Sequence, residues 1–229
     1  MKLLHVVQHT SAEFLGLMED HLEGRSVRFR YWRPFTAKGA LPRPDAEGDG
    51  LILLSGGPWG TAGGRDVPTL KHELALTRAW LERELPVVGI GLGAQILALA
   101  AGGGSESAAL RFEVTRARRA HEAALNGYLP AEYPLALYMR DWPVPPAQAE
   151  ILALDAQDRP ALWQIGKNAL GFSGHPGLKV AMVEDLIMEF EESPEGVGPE
   201  LDKLRMVQRE IDDALVPIMT GVVQLAAWM

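Results

Sequence analysis

The chain has 229 residues, of which 47% are hydrophobic and 23% are charged, as is typical of a soluble globular protein with one α/β core. Its formal net charge of -8 argues against a broad cationic surface for nucleic acid or anionic lipid. Because cysteine is absent, disulfide bonds, thiolate metal sites and thiol nucleophiles are excluded. No apolar run is long enough to span a membrane and no secretory signal is evident, so we expect a cytoplasmic protein.

The first 54 residues predict three strands and one helix. A short apolar run over Leu3–Val7 predicts a strand, and Ser11 is placed to cap a helix that ends at Gly24. The alternating pattern of Ser26–Trp32 indicates a half-buried strand. A Pro- and Gly-rich loop then leads to a buried strand over Leu51–Leu54.

The next segment continues the alternation of strands with helices. A helix containing Leu76 and Trp80 is followed by a strand over Pro86–Ile90 and a helix over Ala94–Ala101. Such alternation predicts a mostly parallel sheet covered by helices on both faces.

The middle of the chain changes to short strands separated by turn residues, which predicts a small antiparallel extension of the sheet. The predicted strands are Leu110–Thr115, Leu135–Met139, Glu150–Leu154, Ala161–Ile165 and Ala169–Phe172.

Two helices are predicted to close the chain, from about Lys179 to Glu192 and from about Glu200 onward, with a kink at Pro217. We expect one domain over residues 1–229, onto which the helices of residues 179–229 pack. The strongly apolar last segment is expected to pack on its own domain, with a dimer contact as the alternative.

The most informative motif is a buried strand that runs into a glycine-rich turn and a helix, in the stretch Pro86-Val-Val-Gly-Ile-Gly91-Leu-Gly93-Ala94-Gln95. This layout is typical of a nucleophile elbow, which holds its apex residue in a strained backbone conformation. The stretch resembles the elbow of class I (triad-type) glutamine amidotransferases, including the GMP-synthase-like domains, whose usual pattern is Gly-Ile-Cys-Leu-Gly-His-Gln. Gly91 stands at the cysteine position and Ala94 at the histidine position.

Two further motifs in the same order strengthen the resemblance. Ser55-Gly-Gly-Pro58 follows a hydrophobic strand, where the family has the loop that helps to build its oxyanion hole. Phe172-Ser-Gly-His175-Pro176-Gly177 resembles the family pattern Phe-His-Pro-Glu, which supplies a base and an orienting carboxylate. With the opening Val7-Gln8-His9, Glu13 and Gly16, the similarity spans roughly residues 3 to 180. It implies a three-layer, flavodoxin-like α/β fold with a mostly parallel twisted sheet.

The departures from the family pattern fall on the catalytic positions that the resemblance implies. Gly91 supplies no nucleophile, and Gly177 supplies no carboxylate to orient the remaining base, His175. We therefore expect no hydrolysis of glutamine and no ammonia transfer. Glycine at the apex is also expected to relax the strained turn.

A binding or regulatory role is the hypothesis that follows, with no cofactor and no metal. The resemblance implies that the Gly57 and Leu92 amides, next to Gly56, form an anion site for a glutamine-like or other carboxylate ligand. Gln95 would contact the ligand and Trp59 would wall the pocket. A partner protein or a homodimer is also possible on this hypothesis; nucleic acid and membrane are not expected as partners.

Two alternatives remain at this point. The first is an enzyme of the same fold with altered chemistry that uses His175 with Asp141, Glu113 or another acid. The second takes Gly89-Ile-Gly91-Leu-Gly93-Ala94 as a dinucleotide fingerprint, with Glu113 as the ribose-binding acid about 20 residues later. The other histidines are scattered and do not predict a metal site.

Overall fold

The computed structural model describes residues 1–229 and contains eleven strands, five α-helices and one 3₁₀ turn at Ala124–Gly127. The strands are β1 Leu3–Val7, β2 Arg28–Trp32, β3 Gly50–Leu53, β4 Val87–Ile90, β5 Gly104–Glu106, β6 Arg111–Arg119, β7 Glu132–Met139, β8 Trp142–Val144, β9 Glu150–Leu154, β10 Pro160–Ile165 and β11 Ala169–Phe172. The helices are α1 Met18–Glu23, α2 Leu70–Glu82, α3 Leu92–Ala100, α4 Val180–Glu189 and α5 Val197–Leu225.

Nine strands form one mixed sheet in the order β2-β1-β3-β4-β11-β10-β9-β6-β7. The strands from β2 to β11 in this order pair in parallel, and those from β11 to β7 pair antiparallel. This confirms the predicted mostly parallel α/β sheet with an antiparallel extension. One assignment was wrong, because β11 pairs in parallel with β4 and lies at the centre of the sheet. A separate antiparallel pair is formed by β5 and β8.

The central parallel strands are buried on both faces, which explains why they are apolar throughout. Side chains of alternating direction, such as those of Ile52 and Leu53 on β3, belong to different clusters of the core. One face packs against α1 and α5, and the other packs against α3 and against α2, whose Trp80 is fully buried. The sheet is therefore the middle layer of three.

The first helix is shorter than predicted. It begins at Met18, and its N-cap residue is Leu17, so Ser11 does not cap it. The segment before it bonds to other parts of the chain instead: the Ser11 amide donates to Glu189 Oε1 at 2.9 Å, and the Gln8 side chain donates to the Thr10 carbonyl at 2.8 Å. The Gln8 side chain also donates to the Ser11 carbonyl at 3.2 Å, which is the acceptor that the first turn of a helix capped by Ser11 would need.

The C-terminal segment packs on the same chain. Trp228 is buried, and its indole N–H donates to the Asp49 carbonyl at 2.9 Å. Helix α5 continues through Pro217 as one helix and does not end there. Pro217 has no N–H to donate to the carbonyl of Asp213, and Asp213 is an exposed residue, where solvent can satisfy a carbonyl at low cost.

Candidate functional site

Gly91 lies at the junction of β4 and α3, where it is the N-cap residue of the helix with φ 55° and ψ -111°. Its amide donates to the Phe172 carbonyl at 2.8 Å, which ties the turn to β11. Residues that carry a side chain rarely adopt this backbone conformation. A Cβ on Gly91 would also lie 2.8 Å from Ser55 Oγ and 3.2 Å from Ser55 Cβ. The turn therefore has the elbow geometry and suits glycine.

The Gly57 amide, predicted to bind an anionic ligand, is already bonded within the protein. It donates to Glu13 Oε2 at 2.5 Å, and Glu13 is 1% exposed. Burial raises the pKa of Glu13 to about 8, although the Gly57 hydrogen bond and the charge of His9 oppose the shift. The expectation of an open anion site at Gly57 was wrong, because a carboxyl group of the chain fills it. The sequence carried one signal for this residue, since Glu13 belongs to the opening motif of the resemblance.

A buried pair of side chains, His9 and Glu73, lies next to Glu13. His9 Nε2 lies 2.8 Å from Glu73 Oε2, and His9 Nδ1 lies 3.1 Å from the Ser55 carbonyl oxygen. Both partners are acceptors, so both ring nitrogens carry protons and the imidazole is charged. Burial lowers the pKa of His9, but the Glu73 charge and the hydrogen bonds outweigh burial and raise it overall. The opposite charge and hydrogen bond from His9 lower the pKa of Glu73 against the effect of burial.

His175 is buried and bonds to backbone groups through both ring nitrogens. Nε2 lies 2.8 Å from the Phe14 carbonyl oxygen, and Nδ1 accepts from the Gly177 amide at 3.1 Å. These partners fix a neutral imidazole with its proton on Nε2. Burial lowers the pKa of His175 to about 4.

The acids considered as partners for His175 have other contacts. The Asp141 carboxylate accepts from the amides of Thr61, Ala62 and Ala108, and Glu113 lies on β6. A Cβ on Gly177, the position proposed to lack the triad acid, would lie 3.0 Å from both Met18 Cγ and the Met18 backbone nitrogen. The structure therefore offers no carboxylate that orients His175.

Gln95 is fully buried, and both the nitrogen and the oxygen of its side-chain amide are hydrogen-bonded within the protein. Its Nε2 donates to the Arg140 carbonyl at 2.6 Å, and its Oε1 accepts from Thr61 Oγ at 2.9 Å. These hydrogen bonds join α3 to two loops. We expect Gln95 to position these loops rather than contact a ligand.

Helix α4 and the residues after it cover Gly57. Phe190 Cε2 and Leu186 Cδ2 would lie 3.1 and 3.2 Å from a Cβ on Gly57. The Glu192 carboxylate holds this segment in place by ion pairs with Arg65, at 2.5 Å, and with Arg140.

The main cavities of the molecule lie away from the elbow. Two of them, of about 720 and 430 Å³, lie at the amino end of β4 beside Lys167 and along the Pro34–Pro44 loop. Trp59 lines a small cavity of about 70 Å³ together with His9. Gly56, Gly57, Gly91, Leu92 and Gln95 line none of these cavities.

The geometry expected for a dinucleotide site is also missing. Glu113 would have to end a parallel strand adjacent to β4. It lies instead on β6, which pairs antiparallel and is separated from β4 by β11, β10 and β9. No three His, Asp or Glu side chains come together as a metal-binding group. None of the helices is both long enough and apolar enough to cross a membrane.

Solved structures of other proteins share this fold. Two glutamine amidotransferase structures are similar over 98% of the chain at 21% identity: one from Thermotoga maritima, with TM-score 0.79 and 98% of that chain covered, and one from Methylobacillus flagellatus, with TM-score 0.80 and 95% covered. A Thermoplasma acidophilum protein, described as a putative subunit of GMP synthase, is 19% identical, with TM-score 0.58 and coverage of 92% of this chain and 98% of that one.

Sequence comparison identifies the family of the chain. No curated protein sequence matches the chain. The family model described as "Glutamine amidotransferase class-I" matches residues 22–158, which is more than half of the chain. The chain therefore belongs to the class I glutamine amidotransferase family.

Proposed function

We propose that this protein is a catalytically degenerate member of its family that does not hydrolyse glutamine and serves as a binding or regulatory domain. One observation carries the proposal: the residue with elbow geometry between β4 and α3 is Gly91, in a chain without cysteine. Attack on a carboxamide by this family's route needs a thiolate at that point. Neither Gly91 nor a displaced thiol can supply it.

The surroundings of His175 support the same proposal. A general base must reach the proton that it removes, and it must accept that proton near the working pH. Both nitrogens of His175 bond to backbone groups, and its pKa is lowered to about 4. The alternative of altered chemistry through His175 therefore has no supporting contact.

A binding role for an outer surface fits the closed interior better than a ligand at the elbow. Glu13 occupies the Gly57 amide, and Phe190 covers it. One structural neighbour is described as a putative subunit of GMP synthase. By analogy, the outer surface of this chain would bind a partner protein.

The test is a glutaminase assay on the purified wild-type protein, with an active family member as positive control. We expect no glutamate or ammonia above the level without protein. We also expect no covalent adduct, by intact mass, after incubation with an electrophilic glutamine analogue that alkylates catalytic thiols. Glutamine turnover by the wild-type protein would overturn the proposal.

A further inference from the structure

The feature behind this inference is a pair of arginine side chains that share one carboxylate. Arg65 Nη1 donates to Glu192 Oε2 at 2.5 Å, and Arg140 Nη2 donates to Glu192 Oε1, so each carboxylate oxygen serves a different guanidinium group. Glu192 is the only acidic residue that forms an ion pair with either arginine. The carboxylate of Asp141, next to Arg140 in the chain, accepts from three backbone amides instead. Two positive charges therefore share one negative partner.

Both arginines are also held by contacts that do not involve Glu192. Arg140 Nε donates to the Pro58 carbonyl at 2.9 Å. The Arg65 guanidinium carbon lies 4.8 Å from the centre of the Trp59 ring, where a cation is attracted to the aromatic face. The Arg140 side chain is only 15% exposed, and a guanidinium group that is mostly buried is costly to leave without a counter-ion. The two arginines therefore form a preorganised site for an oxyanion.

The segment that supplies the carboxylate is weakly attached to the rest of the protein. Glu192 belongs to residues 191–195, the strap, which joins α4 to α5 without regular secondary structure. The backbone of the strap forms no hydrogen bond with other backbone groups, and its only side-chain hydrogen bonds are those of Glu192. Pro194 is its only buried residue. The carboxylate can therefore leave the arginines without breaking any helix or strand.

We propose that Arg65 and Arg140 bind the phosphate group of a small-molecule ligand, and that Glu192 occupies this site as a tethered competitor which the phosphate group displaces. A phosphate group has enough oxygens to serve both guanidinium groups. It also carries about two negative charges at neutral pH, which match the two positive charges better than one carboxylate does. The inference goes beyond the proposed function, because it does not depend on whether the elbow hydrolyses glutamine.

The test is to remove the competitor and titrate the site with inorganic phosphate. Glu192→Gln keeps the shape of the side chain but loses its charge. We expect this variant to bind phosphate about ten-fold more tightly than wild type, by isothermal titration calorimetry at constant pH and ionic strength, because the site is no longer occupied by the chain itself. Glu191→Gln, the matched control at an exposed strap residue, should bind phosphate like wild type.

Two further titrations test the assignment of the ligand and of the residues. Sodium acetate, a monoanion, should bind Glu192→Gln more weakly than phosphate does. The double variant Arg65→Gln/Glu192→Gln should lose phosphate binding. The inference would be overturned by phosphate binding to Glu192→Gln that is no tighter than to wild type, by equal affinities for acetate and phosphate, or by undiminished binding in the double variant.

A second measurement detects displacement of the strap in a protein that keeps Glu192. Since the chain has no cysteine, Ser193→Cys places a single thiol at an exposed strap position for a nitroxide label. We expect phosphate to increase the mobility of the label, measured by electron paramagnetic resonance, and sodium chloride at equal ionic strength to leave it unchanged. A label whose mobility does not respond to saturating phosphate would contradict displacement. None of these readouts involves turnover, so glutamine hydrolysis by wild type would refute only the proposed function.

Discussion

Gly91 and Ser55 together determine what the elbow can accommodate. The backbone of Gly91, at φ 55° and ψ -111°, is one that residues with a Cβ adopt only with strain. The Ser55 side chain stands within 2.8 Å of the space that such a Cβ would take. Restoring a nucleophile is therefore a change at two positions.

We expect Gly91→Cys to lower the free energy of unfolding by about 1–3 kcal/mol from backbone strain, with an additional cost from the contact with Ser55. The double variant Ser55→Gly/Gly91→Cys should recover part of the stability that Gly91→Cys loses through the contact with Ser55. Urea denaturation at constant pH measures both changes. The matched control is Gly64→Cys, because a Cβ at Gly64 meets nothing within 4 Å. A Gly91→Cys protein as stable as Gly64→Cys would contradict the strain argument.

The main residues of the elbow could be identified from the sequence, and their contacts could not. The pattern around Gly91 predicts a strand, a tight turn and a helix because these follow from local residue order. The hydrogen-bond partner of the Gly57 amide is Glu13, which is 44 residues away in the chain. Likewise the partners of His175 are backbone groups, which any residue possesses and no motif reveals.

At the scale of elements, periodicity identified the buried strands and the main helices. It failed before α1, where the spacing of apolar residues is helical but the chain is not. The reason is a competing set of contacts from α4, whose last residue, Glu189, caps the amides of Ser11 and Ala12. Similarly β11 reads as one of several short strands, although its partner β4 makes it part of the parallel centre.

We expect Glu189→Ala to lower the free energy of unfolding by about 1 kcal/mol, because two loop amides lose a charged acceptor at an exposed position. Hydrogen exchange should also accelerate at the Ser11 and Ala12 amides. Asp185→Ala, one helical turn earlier and also exposed, serves as the control and should leave both quantities unchanged. Unchanged exchange at Ser11 and Ala12 in Glu189→Ala would show that the cap is not maintained in solution.

At the scale of the whole molecule, two buried groups, Glu13 and His175, give stability opposite dependences on pH. Glu13 has a folded pKa of about 8, raised from 4.5, so the native state holds one more proton than the unfolded state between these values. Its contribution is full below pH 4.5 and is lost as pH rises toward 8. His175 has a folded pKa of about 4, lowered from 6.5, so its contribution is full above pH 6.5 and is lost as pH falls toward 4.

The two effects oppose each other between pH 4.5 and 6.5, and single variants should separate them. We expect Glu13→Gln to remove the loss of stability that wild type shows as pH rises. The free energy of unfolding of this variant relative to wild type should then rise from pH 4.5 to 8 by up to about 1.4 kcal/mol per pH unit. His175→Asn should remove the loss of stability that wild type shows as pH falls, so that the free energy of unfolding of this variant relative to wild type rises as pH falls from 6.5 to 4. Urea denaturation at a series of pH values measures both difference curves. Since His9 and the other titrating groups remain in every protein, a flat curve for either variant would mean that its group is not held in the buried state described here.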